Sequence, residues 1–195
     1  KLGAPGQEDV DEARLEAIRK VRPDARLRID ANAGWKAEDA IQLVKRLKKF
    51  DLELIEQPTA KDDIEGMGIV QAETDIPVVA DESVQTIDDI DRLHAAGVQG
   101  INLKLMKCGG LTNGTAMLKR ARSYGMKVML GCMVETSVGV SAMSHLMGLA
   151  DWIDLDTPML ISNDPFEGLT YTENATLIPP AGPGIGLKLK PGFPE

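Results

Sequence analysis

Cysteine is scarce in this chain of 195 residues: there are two, Cys108 and Cys132. That is too few for the disulfide framework of a small secreted domain, and it matches a reducing compartment. The chain is therefore read as cytoplasmic, with both thiols free and near the core. Histidine is as rare, with only His94 and His145. Both fall in segments that read as helix, which gives them core or surface roles rather than ligation. No apolar run approaches the roughly 20 residues that a bilayer-spanning helix needs. Basic residues are outnumbered, 22 against 30 acidic, for a net charge of −8. A phosphate backbone demands the opposite sign, so nucleic acid is excluded as a partner. The chain also lacks an initiating methionine and any signal-like stretch. It opens Lys1-Leu2-Gly3, and its true N-terminus is expected elsewhere.

What is present is an ordinary globular balance, 27% charged and 43% hydrophobic, in a length of about one domain. Six short β-type segments recur: Arg26 to Asp30, Leu52 to Glu56, Pro77 to Asp81, Gly100 to Lys104, Lys127 to Gly131 and Trp152 to Asp156. Between Asp30, Glu56, Asp81, Lys104, Gly131 and Asp154 the steps are 26, 25, 23, 27 and 23 residues. Each step holds one strand, one helix and two short loops. The intervening segments carry helical periodicity over Glu8 to Val21, Ala37 to Leu47, Asp62 to Ala72, Thr86 to Ala96, Thr112 to Tyr124 and Thr136 to Leu149. Strands alternating with helices imply βαβ units and a parallel sheet.

The regular step favours a (β/α) barrel over an open doubly wound sheet. Such a sheet usually carries a glycine-rich phosphate turn after its first strand, and here that position reads Asp30-Ala31-Asn32-Ala33. A full barrel needs eight strands and about 250 residues. Six strands and a stub at Lys1 make an incomplete one, occupying residues 1–157. Residues 158–195 break the period and are rich in proline and glycine. They read as an ordered tail with extended pieces near Ala175 to Ile178 and Gly186 to Leu189.

Barrel active sites lie at the C-terminal ends of the strands. Those ends read Lys1, Asp30, Glu56, Asp81 and Lys104, then Glu135 beyond a strand, then Asp154 and Asp156. Acids that close apolar strands are costly unless paired or bound to a cation. Three in register, each from its own strand, converge on a point. Hard oxygen ligands without histidine or cysteine fit Mg²⁺. The plainer alternative is that each carboxylate caps the next helix or pairs with a lysine. Asp51, Glu53 and Glu82 read as solvated or supporting acids, Lys107 as a loop charge, and Gly109-Gly110 as a turn. A free ammonium titrates near ~10.4. A neighbouring divalent cation and a second ammonium would draw Lys1 and Lys104 down toward the ~7–8 of a general base.

These residues resemble the enolase superfamily, in the branch of the muconate lactonizing enzymes and dipeptide epimerases. The matching text is Lys1-Leu2-Gly3, Ile29-Asp30-Ala31-Asn32, Ile55-Glu56-Gln57-Pro58, Ala80-Asp81-Glu82-Ser83 and Leu103-Lys104-Leu105-Met106-Lys107-Cys108-Gly109-Gly110. The resemblance implies Asp30, Glu56 and Asp81 as Mg²⁺ ligands, and Lys1 and Lys104 as the proton-transferring pair. The strands would be numbers 3 to 8 of a TIM-type barrel, plus the end of strand 2. The N-terminal capping domain of the family and the first two strands are missing, which implies a fragment or one piece of a two-chain assembly. The tail would pack on the missing cap, and such enzymes often self-associate.

Asp154-Leu155-Asp156-Thr157-Pro158 resembles the Asp-x-Asp signature by which dipeptide epimerases hold the α-ammonium of their substrate. Residues two apart on a strand share a side, and paired carboxylates attract a cationic end. Gly131-Cys132-Met133-Val134-Glu135 resembles the same subfamily and implies Met133 and Glu135 as pocket residues. The implied reaction is Mg²⁺-dependent epimerisation of a dipeptide of the L-Ala-D/L-Glu type by 1,1-proton transfer through an enediolate. Two other readings stand beside it: a cycloisomerase or o-succinylbenzoate synthase-like dehydratase, and an inactive structural piece that needs a partner chain.

Overall fold

The computed structural model describes residues 1–4 and 6–192. Six strands alternate with helices: α1 (Glu8–Val21), β1 (Leu27–Asp30), α2 (Ala37–Leu47), β2 (Leu52–Glu56), α3 (Ile64–Ala72), β3 (Val78–Ala80), α4 (Ile87–Ala95), β4 (Gly100–Lys104), α5 (Leu105–Cys108), α6 (Leu111–Ser123), β5 (Lys127–Gly131), α7 (Ser137–Ser144) and β6 (Trp152–Asp154). The strand order is sequential, β1 to β6. The pairs β1–β2, β2–β3, β3–β4 and β5–β6 run parallel. This is the connectivity of a (β/α) barrel with fewer than its eight strands. Among the described residues, no helix is long and apolar enough to cross a membrane.

The chain divides into two compact units. The first is Lys1–Asn102 with Arg120–Lys127, and the second takes Leu103–Lys119 with the chain from Val128 onward.

In the first unit, β2, β3 and the start of β4 are buried on nearly every residue, as expected of parallel strands covered on both faces. The strand residues Leu54, Ile55, Val78, Val79 and Ile101 and the helix residues Leu47, Met67, Ile90 and Leu93 are all essentially inaccessible. The helices begin and end where side chains satisfy their free backbone groups. Thr86 and Asp89 form a reciprocal capping box at α4. The Asp63 carboxylate accepts the Gly66 N–H at 2.9 Å to start α3. Helix α1 carries Glu8, Asp9 and Asp11 in its first turn and Arg19 and Lys20 in its last, matching its dipole.

In the second unit, Val128, Met129 and Leu130 of β5 are buried, as are Leu103, Met117, Val140 and Met143. The helix read over Thr136 to Leu149 stops at Ser144. There the His145 and Leu146 N–H groups turn to the tighter i→i−3 bonds on Ala142 and Met143. The tail forms two small antiparallel pairs, β7 (Phe166–Glu167) with β10 (Lys188–Leu189) and β8 (Thr170–Tyr171) with β9 (Leu177–Ile178). The expected extended pieces thus lie in β9 and β10, while residues 193–195 of the tail fall outside the described residues. Asp164 anchors the tail: its buried carboxylate accepts the Ser137 N–H at 2.8 Å and the Phe166 N–H at 3.1 Å.

Leu54 is fully buried at the centre of β2. Leu54→Ala should therefore lower stability by about 2–5 kcal/mol, read as a lower urea midpoint with an unchanged slope.

Candidate metal centre

Three strand ends build the centre in the first unit. Asp30 closes β1 and pairs in register with Glu56, which closes β2. Glu56 is in turn the partner of Val79, and Asp81 follows two residues later, just past β3. The parallel register thus brings three acids to one level. All three are buried, at 7%, 5% and 3% exposure. One carboxylate oxygen from each lies within 4.8 Å of the others. Trans oxygens across a Mg²⁺ octahedron stand about 4.2 Å apart, twice the ~2.1 Å Mg–O bond, so the trio spans the size of one such ion. Three carboxylates crowded together out of water repel strongly. A divalent cation at their focus would offset that repulsion, and an all-oxygen donor set would suit a hard ion such as Mg²⁺.

Neighbouring groups aim these acids. Asp30 accepts the Asn32 N–H at 2.7 Å on one oxygen and the Asn32 side-chain amide at 3.1 Å on the other. Asn102, inside β4, donates to Glu56 Oε1 at 2.6 Å. No motif marks Asn102 in the sequence; the one sign of it is a polar amide among the apolar residues of Gly100–Lys104, a strand that the structure buries throughout.

Lys1 reaches this centre, its Nζ donating to Asp30 Oδ2. The backbone behind it leaves no slack. The Leu2 N–H bonds the Asp30 carbonyl at 2.8 Å. A Cβ on Gly3 would stand 2.0 Å from the Ala31 carbonyl oxygen, and one on Gly34 would stand 1.9 Å from that of Gly3. Partial burial pulls against the Lys1 charge, but the hydrogen bond to Asp30 and the fields of Asp30, Glu56 and Asp81 win, and the ammonium is held above its ordinary value. With the carboxylates alone as neighbours, then, the shift runs opposite to the one the sequence suggests for a cation beside it. Of the remaining acids, Glu53 pairs with Arg28 at 2.7 Å.

The second unit holds the other residues singled out. Lys104 is buried at the end of β4. Glu135 and Met133 lie in the loop between β5 and α7, with the Met133 N–H donating to Glu135 Oε1 at 3.0 Å. The Glu135 carboxylate lies over Gly139, where a Cβ would meet it at 1.8 Å. Burial raises the Glu135 carboxyl above its usual range, opposed in part by the Met133 N–H and the charge of Lys104.

Strand β6 ends at Asp154, and Asp156 opens the following 3₁₀ turn, so strand alternation does not extend to it. The two aspartates nevertheless are both exposed with Leu155 buried between them. The Tyr171 hydroxyl pins that junction by donating to the Leu155 carbonyl at 2.5 Å. Burial, then the negative fields of Cys132, Asp156 and Asp164, push the Tyr171 phenol up to about 12. His94 lies within α4, and His145 caps the C-terminal end of α7.

A parallel strand series ending in a buried acidic trio is the mark of one class of barrel proteins. This chain belongs to the enolase C-terminal domain-like family, whose model matches residues 1–192. It is 40% identical over 191 residues to an L-Ala-D/L-amino acid epimerase of Maribacter sp., covering 97% of this chain and 54% of that protein. The substrate-liganded L-Ala-D/L-Glu epimerase of Bacillus subtilis superposes with a TM-score of 0.90 at 35% identity, over 96% of this chain and 54% of that one. A dipeptide epimerase of Cytophaga hutchinsonii, complexed with Mg and D-Ala-L-Val, superposes at 0.91 with 28% identity, over 99% and 54%. The chain therefore spans about half the length of the relatives it matches.

Two outcomes follow. Asp30→Asn, Glu56→Gln or Asp81→Asn should each abolish the heat of Mg²⁺ binding in calorimetry, and retention of that heat would break the assignment. For Tyr171, the folded phenol loses its proton near 12 against about 10 in an unfolded chain. Its contribution to stability is full below about 10 and is lost as pH rises toward the folded value. A phenolate absorbance titration should show this late step, and Tyr171→Phe should remove it at a cost of about 1 kcal/mol.

Proposed function

We propose that the protein of which this chain forms the metal-bearing part epimerises dipeptides by 1,1-proton transfer in a Mg²⁺-dependent reaction. The observation that carries this reading is the buried trio Asp30, Glu56 and Asp81 with the Lys1 ammonium on its Asp30 side. The activities of the relatives support it: they include an L-Ala-D/L-amino acid epimerase, an L-Ala-D/L-Glu epimerase and a dipeptide epimerase. In this reading the three carboxylates hold Mg²⁺. When bound, the ion supplies positive charge that withdraws electrons from the substrate carboxylate and acidifies the adjacent α-carbon.

Proton movement falls to two lysines. One, as the free amine, takes the α-proton. The other, as the ammonium, delivers a proton to that carbon from the other face, which inverts the centre. Lys1 and Lys104 fill these roles and exchange them between the two substrate stereoisomers. Lys1 is held as an ammonium by its carboxylate neighbours, the form that delivers a proton. Asp154 and Asp156 receive the dipeptide α-ammonium, and Met133 and Glu135 bound the side-chain pocket. A substrate without an ammonium gains nothing from that aspartate pair, which favours a dipeptide over the anionic substrates of a cycloisomerase or dehydratase.

The same reading takes residues 1–157 as the barrel portion. In it the tail from 158 packs against the further portion that the longer relatives carry, and the protein is cytoplasmic, a reading that the free thiols of Cys108 and Cys132 support.

The test is ¹H NMR of the complete protein with Mg²⁺ and L-Ala-L-Glu in D₂O. The C-terminal α-proton should exchange and the L,D diastereomer should appear. Lys104→Ala should stop epimerisation and confine exchange to one stereoisomer. Asp154→Asn should raise KM about tenfold, worth ~1.4 kcal/mol. A panel of dipeptides without any exchange would overturn the reading, and turnover of anionic non-peptides instead would assign the dehydratase or cycloisomerase chemistry.

A further inference from the structure

Gln57 follows Glu56 directly, and no metal or proton chemistry uses it. It is nevertheless fully buried, and its backbone sits at φ +37°. A residue with a Cβ occupies that left-handed region only where its surroundings impose it. The imposing contacts come from its own side chain. Its Nε2 donates to the Thr59 carbonyl at 2.9 Å and to Ser83 Oγ at 2.8 Å. Its Oε1 accepts the Asp81 N–H at 2.8 Å and the Ser83 N–H at 3.3 Å. A primary amide has two N–H donors and two acceptor lone pairs, and all four are used here. Two backbone N–H groups face one end, and a carbonyl and a hydroxyl face the other, so the amide fits in a single orientation.

Ser83 extends the chain of bonds by donating to the Lys61 carbonyl at 2.7 Å. The Gln57 N–H itself bonds the Val79 carbonyl at 2.9 Å. One side chain thus ties the residue after one acid to the backbone N–H of the next.

We infer that Gln57 is a positioning residue for the metal centre: its amide fixes the Asp81 backbone relative to Glu56 and so sets the spacing at which the two carboxylates meet an ion. This rests on the reading of the trio as a Mg²⁺ site. The same unit supplies an internal control. Gln71 is also buried, its amide donates to the Thr74 and Ile76 carbonyls at 3.1 and 3.3 Å, and it accepts the Val78 N–H at 2.7 Å. Gln71 therefore grips the start of β3 as Gln57 grips the segment just past its end, but away from the acids. A purely structural amide predicts the same behaviour for both.

The experiment compares the full chain with Gln57→Met and Gln71→Met, which keep length and remove the polar amide. Mg²⁺ affinity is read by calorimetry, and exchange of the Asp81 and Ser83 amides by hydrogen–deuterium NMR in metal-free protein. Both variants should lower the thermal midpoint. Only Gln57→Met should weaken Mg²⁺ binding, by about 10- to 100-fold as for other residues that orient metal ligands, and only it should speed exchange at Asp81 and Ser83. Ser83→Ala, a milder cut in the same network, should lose affinity in the same direction and serves if Gln57→Met does not fold. Unchanged Mg²⁺ affinity in Gln57→Met or, failing that, in Ser83→Ala would overturn the proposal while leaving the acidic site intact. Equal weakening by Gln71→Met would overturn it as well. Absence of Mg²⁺ binding by the unaltered chain would instead remove the site reading itself.

Discussion

Mutual repulsion among Asp30, Glu56 and Asp81 is the constraint on which the rest of this structure depends. Three carboxylates buried within 4.8 Å of one another are a standing electrostatic penalty that no fold retains for stability alone. The surroundings lower that penalty with amide donors from Asn32 and Asn102 and with the Lys1 ammonium. Each of these also fixes a direction. Asn32 occupies both oxygens of Asp30, and Asn102 takes one oxygen of Glu56. The three carboxylates are left with oxygens close enough together that they could hold a metal ion.

The scaffold serves that arrangement through register. Parallel strands of nearly equal step end at the same level, so Asp30 pairs with Glu56 and Asp81 lies two residues past the partner of Glu56. The apolar interior of β2 and β3 keeps the ends rigid, and the helices are held by caps and dipole-matched charges rather than by the site. The second unit is held by contacts of its own. There the loop after β5 carries Met133 and Glu135, and the tail's Tyr171 clamps the junction between Asp154 and Asp156.

Much of this was legible in the residue order. Helix α1 spans Glu8–Val21 as the pattern indicates, because Pro23 and the charge asymmetry of its ends leave little choice. The strand ends were legible too, since an acid closing an apolar run is conspicuous. Less visible was whatever depends on a partner distant in sequence. Gln57 and Asn102 look like ordinary polar residues until the fold shows what their amides hold. The short helix Leu105–Cys108 carries no periodicity long enough to detect. The turn that begins at Asp156 overrides the strand alternation that linked it to Asp154. Local pattern reports which face is apolar, but it does not report which backbone group a buried amide will find.

The most direct measurement of the central claim is anomalous diffraction from crystals of the protein soaked in Mn²⁺, a scatterer with the ligand preferences of Mg²⁺. The account predicts one strong peak bonded to oxygens of Asp30, Glu56 and Asp81 at about 2.0–2.3 Å, close to the distances of hard-cation sites. A map with no peak among those three carboxylates, or with its strongest peak elsewhere, would contradict it.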